Sequence, residues 1–133
     1  MNTISLSKFI CPAQLSVFNQ LKRGEEGEFF REKEKEIIEV LETIPSLYEQ
    51  ENLGDKALYF LHYFAGGSAS WYISEIGEPD EDGNIIAFGY ADLGYGGELG
   101  YISITELLSV GAEMDFYWTA KTLTEIKGDK SVG

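Results

Sequence analysis

Three stretches, ALYFLHYF (57–64), SWYISEI (70–76) and IIAFGYA (85–91), decide the fold of this 133-residue chain. The first is apolar on both alternating faces, as a central strand covered on both sides must be. The other two are short, rich in aromatic and β-branched residues and bounded by turn formers. Between them, Glu78-Pro79-Asp80-Glu81-Asp82-Gly83-Asn84 reads as a turn in which Gly83 supplies positive φ. So short a link joins antiparallel neighbours, because a parallel crossover needs about a dozen residues or more. A fourth strand is expected over Leu99–Ser103 and a fifth over AEMDFYW (112–118). In that fifth strand Met114, Phe116 and Trp118 should point one way and Glu113, Asp115 and Tyr117 the other.

Upstream the period changes. Pro12 suits a first helical turn, Leu15, Phe18 and Leu21 recur at spacings of three, and Arg23-Gly24 closes the helix. A second helix runs from about Glu28 to Thr43, with Phe30, Ile37, Leu41 and Ile44 on one stripe and Pro45 at its end. Ser103-Ile104-Thr105-Glu106 and Thr122-Leu123-Thr124-Glu125 match capping boxes, and Gly111 ends the helix that the first one starts. The expectation is a single α+β domain over 1–133. It comprises a helical segment (1–44), an α+β core (45–126) and a frayed tail (127–133). Two N-terminal helices pack on one face of a mostly antiparallel sheet of about five strands. Trp71 and Phe116 are expected as core residues.

Charge is unevenly placed. The net charge is −13, from 23 acids against 10 bases. Ala57–Ala120 holds ten acids and no Lys or Arg, together with 13 of the 18 aromatics. Such a balance repels phosphate backbones and anionic lipid, so direct nucleic-acid binding and membrane docking are not expected. No apolar run approaches a membrane span, and the N-terminal MNTISLSKFICPAQL does not read as a signal peptide. The expected setting is the cytoplasm.

Few residues offer chemistry. One His and one Cys cannot build a zinc site or a Cys–His pair, and no metal or other cofactor is expected. Asp80-Glu81-Asp82-Gly83-Asn84 fails calcium-loop spacing, with glycine at the fourth position and Ala91 at the twelfth. Gly94–Gly100 lacks the third glycine of a dinucleotide fingerprint, Leu99 standing there. His62, mid-strand among aromatics, reads as a hydrogen-bonded core residue. Cys11, just before Pro12, reads as a small residue at a helix entrance. Glu75, Glu98 and Glu106 are candidates for a carboxylate pair that nothing in the sequence brings together.

The series Pro45-Ser46-Leu47-Tyr48-Glu49, Leu61-His62-Tyr63-Phe64, Trp71-Tyr72-Ile73-Ser74-Glu75, Phe88-Gly89, Glu98-Leu99-Gly100-Tyr101-Ile102-Ser103 and Met114-Asp115-Phe116-Tyr117 resembles the small proteins grouped as domain of unknown function 2958. That resemblance covers about residues 45–126. It implies a small α+β fold and a phage, plasmid or other mobile-element setting, and brings no catalytic residue. Its motif residues read as fold-determining, with Trp71, Tyr72 and Tyr101 as core and Gly89 and Gly100 as bends. The functional expectation is a non-enzymatic acidic binding protein that inhibits a host nucleic-acid-targeting defence, such as a restriction or CRISPR nuclease, by charge complementarity. The expected partner is a protein with a basic surface, met by Asp80, Glu81, Asp82, Asp92 and Glu98. Two alternatives stand beside it. One is a ligand-binding or enzymatic pocket built from His62, Trp71, Tyr72, Glu75 and Tyr101. The other is an accessory module of mobile-element replication or transfer, held by a sheet edge.

Overall fold

The computed structural model describes residues 5–132. After a 3-10 turn (Leu6–Lys8) come helices α1 (Pro12–Lys22) and α2 (Gly27–Thr43). Pro12 sits in the first turn of α1, where its missing N–H leaves no bond unmade. Phe18 of α1 meets Phe30 of α2 edge-to-face, ring centroids 6.1 Å apart, and Lys22 bonds Glu34 at 2.6 Å. Cys11, buried, stands just before α1. The strap that follows (45–57), including a 3-10 segment at Glu51–Lys56, leads to β1 (Leu58–Tyr59).

Strands β2 (Leu61–Ala65), β3 (Ala69–Ile76), β4 (Ile86–Asp92) and β5 (Gly97–Ser103) form an antiparallel meander. Helix α3 (Ile104–Ser109) follows, and β6 (Glu113–Met114) returns beside β2, giving the sheet order β5-β4-β3-β2-β6. The α+β expectation holds: one face of this five-stranded sheet carries α1 and α2. Ile10, Phe18, Ile37, Leu41, Leu61, Tyr63, Ile73, Ala87, Ile102 and Met114 form the core there. Each fully buried aliphatic of this kind contributes about 1.5–3 kcal/mol. Tyr63 donates its buried hydroxyl to Phe9 O at 2.6 Å, and burial pushes that phenol above its ordinary pKa.

The opposite face is covered too. Strand β7 (Lys121–Thr122) pairs antiparallel with β1, and α4 (Leu123–Val132) follows it. Ala57, Tyr59, Tyr72, Tyr90, Leu123 and Ile126 make a second, smaller core, against which Trp118 packs. The Thr122 capping box closes in full and the Ser103 one by its serine half. Ser103 Oγ accepts from Glu106 N at 3.1 Å, and Thr122 and Glu125 exchange reciprocal bonds at 3.0 and 3.3 Å. The tail expected to fray from Lys127 is helical backbone as far as Val132, anchored by the buried Leu123 and Ile126; Gly133 lies outside the described residues.

Two strand readings and one core reading need correction. The stretch 57–64 is two strands, not one. Tyr59 joins the second core and Leu61 the first although both are odd-numbered, so the break at Phe60 reverses the alternation. The strand over 112–118 shortens to Glu113–Met114, because Asp115 caps a turn through Tyr117 N (2.9 Å) and Trp118 N (3.3 Å). That turn sends Trp118 to the face opposite Met114 and Phe116. Trp71 and Phe116 are half-buried at the margin of the main core, while Tyr63 and Phe18 fill its centre.

A β-bulge in β3 organises the sheet: Ile73 pairs with Gly89 and Glu75 with Phe88, leaving Ser74 extra. Gly89 is not a bend but a close approach, since a Cβ there would collide with the Tyr72 carbonyl oxygen. Gly89→Ala should therefore lower stability by about 2–3 kcal/mol, read as the shift in a urea-unfolding midpoint. An unchanged midpoint would show that the bulge does not depend on that approach.

Candidate functional site

The bulge places Ser74 and Glu75 together on the face away from α1 and α2, beneath the strap. Glu75 is only 4% exposed, and its carboxylate accepts from Tyr48 N at 2.9 Å and from Gln50 N at 2.6 Å. Gln50, also buried, donates its amide to Leu58 O and Ser74 Oγ and accepts from Leu58 N at 2.9 Å. Ser74 Oγ donates to Leu58 O at 2.8 Å. These bonds close a polar knot between strap, β1 and β3. Tyr48 is bent into positive φ (75°), unusual for a residue with a side chain. Its N–H is held by Glu75 and its hydroxyl lies 2.8 Å from that of Tyr101.

Above the knot is a cavity of about 280 Å³ between the strap and strands β4 and β5. Tyr59, Phe88, Leu99 and Leu123 wall it, Tyr48 and Tyr101 rim it, and Glu51, Asp55 and Glu75 supply carboxylates. Phe88 and Tyr101 meet edge-to-face at 5.7 Å and 78°. The negative charge is felt by the phenols. Burial raises the Tyr59 pKa, with the Glu75 and Asp55 charges adding to it; the hydrogen bond to Tyr48 raises that of Tyr101, with Glu51 and Glu75 adding. A larger cleft of about 600 Å³ lies between α2 and residues 114–120. Two of its polar side chains are engaged locally: Lys33 bridges Glu36 at 2.9 Å, and Thr43 turns back to the Glu39 and Val40 carbonyls.

On the same sheet face, His62 lies between Asp115 (Nδ1 to Oδ2, 3.0 Å) and Ser70 (Nε2 to Oγ, 3.0 Å). The atom order is that of a nucleophilic Ser-His-Asp triad. The surroundings favour a structural role. The imidazole is stacked on Tyr72, centroids 4.6 Å apart and planes 8° apart, and is flanked by Trp118 at 5.2 Å. Ser70 has Asp92 as its register partner on the neighbouring strand, so the residue across the ladder from the hydroxyl is an acid rather than a donor. The line ties the β2–β3 hairpin to the Asp115 turn.

The residues singled out from the sequence are dispersed. Glu75 and Tyr101 meet at the cavity; His62 and Tyr72 form the neighbouring stack; Trp71 faces the helix side. Tyr101, expected as core, is 60% exposed. Among the partner-binding acids, Asp80, Glu81 and Asp82 do form an exposed tip. There Asp80 accepts from Asn84 N and Asp82 N at 2.9 Å, and the Asn84 bond in particular lowers its pKa. Lys8 approaches that tip at Gly83. Asp92, expected to be exposed, is buried, with Gly94 N bonded to its carboxylate at 2.9 Å. Glu98 pairs with Ala91 and so falls on the opposite side of β5 from Tyr101. Asp92 and Glu98 also lie at the far end of β4 from the tip, about 20 Å along the strand. Glu75 lines the strap cavity, whereas Glu106 lines a separate cleft beside Trp71. Gln50, Glu51, Asp55 and Tyr59 went unread because they sit in a polar loop and beside an unforeseen break, and no spacing along the chain marks them.

Fold and site together define a small α+β domain with one helix-covered face and one aromatic, acidic face. The family described as "Protein of unknown function (DUF2958)" matches residues 37–123, from the middle of α2 to the start of α4. The chain belongs to that family. Comparison with curated proteins and with solved structures finds no match. Among the described residues no helix is long and apolar enough to cross a membrane, and no three His, Cys, Asp or Glu side chains are grouped to hold a metal.

Glu75→Ala strands two backbone N–H groups, and chemical unfolding should show a loss of about 3 kcal/mol, with a smaller loss for Glu75→Gln. A loss below about 1 kcal/mol would mean that the strap is held otherwise. A fluorophosphonate ester should leave Ser70 unmodified at neutral pH. Stoichiometric labelling, abolished by His62→Asn, would instead make the Ser70–His62–Asp115 line catalytic.

Proposed function

We propose that this protein is a non-enzymatic binding protein that docks on a basic surface of another protein through its aromatic, acidic face and the adjoining edge strand β5. The observation that carries this reading is the cavity rim. Exposed Tyr48, Leu99 and Tyr101 stand beside Glu51 and Asp55, and among the described residues no Lys or Arg is in the lining. Exposed aromatics ringed by polar groups are the composition of a protein-binding patch. Among the described residues strand β5 pairs only with β4, so its outer edge offers backbone groups to a partner strand. The Asp80–Asp82 tip lies at the same end of the β3–β4 hairpin as Glu75 and Phe88, and extends the negative field that steers a basic partner.

Within this reading the protein serves a phage, plasmid or other mobile element in the host cytoplasm. Its target is a nucleic-acid-handling defence protein of the restriction or CRISPR type, whose basic groove is the complementary surface. The charge of −13 supports a protein rather than a nucleic-acid partner.

Capture from host lysate on immobilised protein, compared with a Tyr101→Glu/Leu99→Asp double variant, tests the reading. The specific partner should be retained at about 0.1 M salt and released toward about 1 M, as the Debye length falls from ~10 Å to ~3 Å. The double variant should not retain it. A partner held equally at both salts and by both proteins would overturn the reading.

A further inference from the structure

The cavity beneath the Tyr48–Tyr101 rim has the chemistry of a receptor for one cationic side chain. We infer that it takes an arginine of the partner, an inference that rests on the docking reading above. Its volume of about 280 Å³ is enough to admit one extended side chain. The rings of Phe88 and Tyr101 meet at 78°, so the corner offers two nearly perpendicular aromatic surfaces, and a cation within about 6 Å of either is attracted by the ring quadrupole. Glu51 and Asp55 line the same cavity, and among the described residues neither carboxylate has a hydrogen-bond or ion-pair partner.

The protein already uses this sheet face to hold cations of its own. Lys121 Nζ lies 4.9 Å from the Trp118 ring centroid and Lys127 Nζ 5.6 Å from that of Tyr90. Both are contributed by the C-terminal segment to rings at the second core. The strap cavity presents aromatic surface of the same kind with carboxylates beside it, and among the described residues no Lys or Arg lines it. Glu75 adds to the field without being a contact: its two oxygens are engaged by Tyr48 N and Gln50 N, so it remains a fixed charge at the base.

Arginine fits better than lysine for geometric reasons. A guanidinium is planar, stacks on a ring while its edge donates to carboxylate and hydroxyl oxygens, and is more weakly hydrated than an ammonium, so it gives up less on entering a part-apolar cavity. The acceptors at hand, two carboxylates and the tyrosine hydroxyls, outnumber what an ammonium with three donors can satisfy in one place.

The test is titration of the isotope-labelled protein with N-acetyl-arginine methylamide, with the lysine and the neutral citrulline analogues in parallel, followed by NMR. The arginine probe should shift resonances of Tyr48, Asp55, Phe88 and Tyr101. It should bind more tightly than the lysine analogue and lose affinity as salt is raised, while the citrulline analogue leaves those resonances unmoved. Tyr101→Ala and Asp55→Asn should each weaken binding about three- to five-fold. Both positions are exposed, so the variants keep the fold, and unchanged Ile73 and Tyr63 resonances verify it. Shifts confined to Asp80–Asp82, equal binding of citrulline, lysine equal to arginine, or an unweakened Tyr101→Ala would each overturn the arginine receptor. None of these outcomes bears on the capture result, so failure of the cavity and failure of the docking reading are told apart.

Discussion

A carboxylate closed off from water at a β-bulge governs the arrangement of the non-helical face. Glu75 reaches that position because Ser74 is an extra residue in β3, turning two successive side chains toward the strap. Once there, its charge is held by two backbone N–H groups at 2.9 and 2.6 Å. Hydrogen bonds to a charged acceptor are worth roughly 1.5–3 kcal/mol each, more than neutral ones. They bring the strap down on the sheet and hold Tyr48 in a backbone conformation that costs on the order of 1–3 kcal/mol. Gln50 and Ser74 satisfy the remaining polar atoms, and among the described residues no buried side-chain nitrogen or oxygen is left without a partner.

The two sheet faces are built by different physics. Beneath α1 and α2, aliphatic and aromatic side chains interlock, and polar atoms enter singly, as when Tyr63 reaches Phe9 O. The other face is a mosaic of rings and polar groups: the His62–Tyr72 stack, Trp118 donating to Tyr59 O at 2.9 Å, and lysines set over Trp118 and Tyr90. Rings with an exposed π-face beside fixed carboxylates attract cations. That makes this face, rather than the helical one, the natural place for recognition. The acidic surplus has two destinations: some carboxylates stay on turns in water, while Asp92 and Glu75 are drawn inward to organise backbone.

Legibility followed the range of the interactions. Antiparallel pairing between consecutive strands, the Asp80–Gly83 turn, the two helix starts at Ser103 and Thr122 and the amphipathic α2 were all readable, because each depends on segments close along the chain. Family membership was readable for a related reason, since its motif order lies along the chain. The candidate site was half readable. Glu75 and Tyr101 stood out by type, but the residues that give them meaning, Gln50, Glu51, Asp55 and Tyr59, lie in a segment whose polar composition resembles any surface loop.

What the sequence determined by itself was therefore the main helices and the antiparallel run of the central strands, because hydrophobic alternation and turn chemistry act locally. Tertiary structure alone decided which face several key side chains took. The break at Phe60 and the turn at Asp115 reverse a two-residue alternation, sending Tyr59 and Trp118 to the second core, and the bulge does the same for Glu75. A one-residue slip flips every later side chain. Whether a slip occurs depends on contacts closed by distant segments: Gln50 with Ser74, Asp115 with His62. Asp92 is buried and Tyr101 exposed for the same reason, as the sheet's final cover rather than residue polarity determines which side chains meet water.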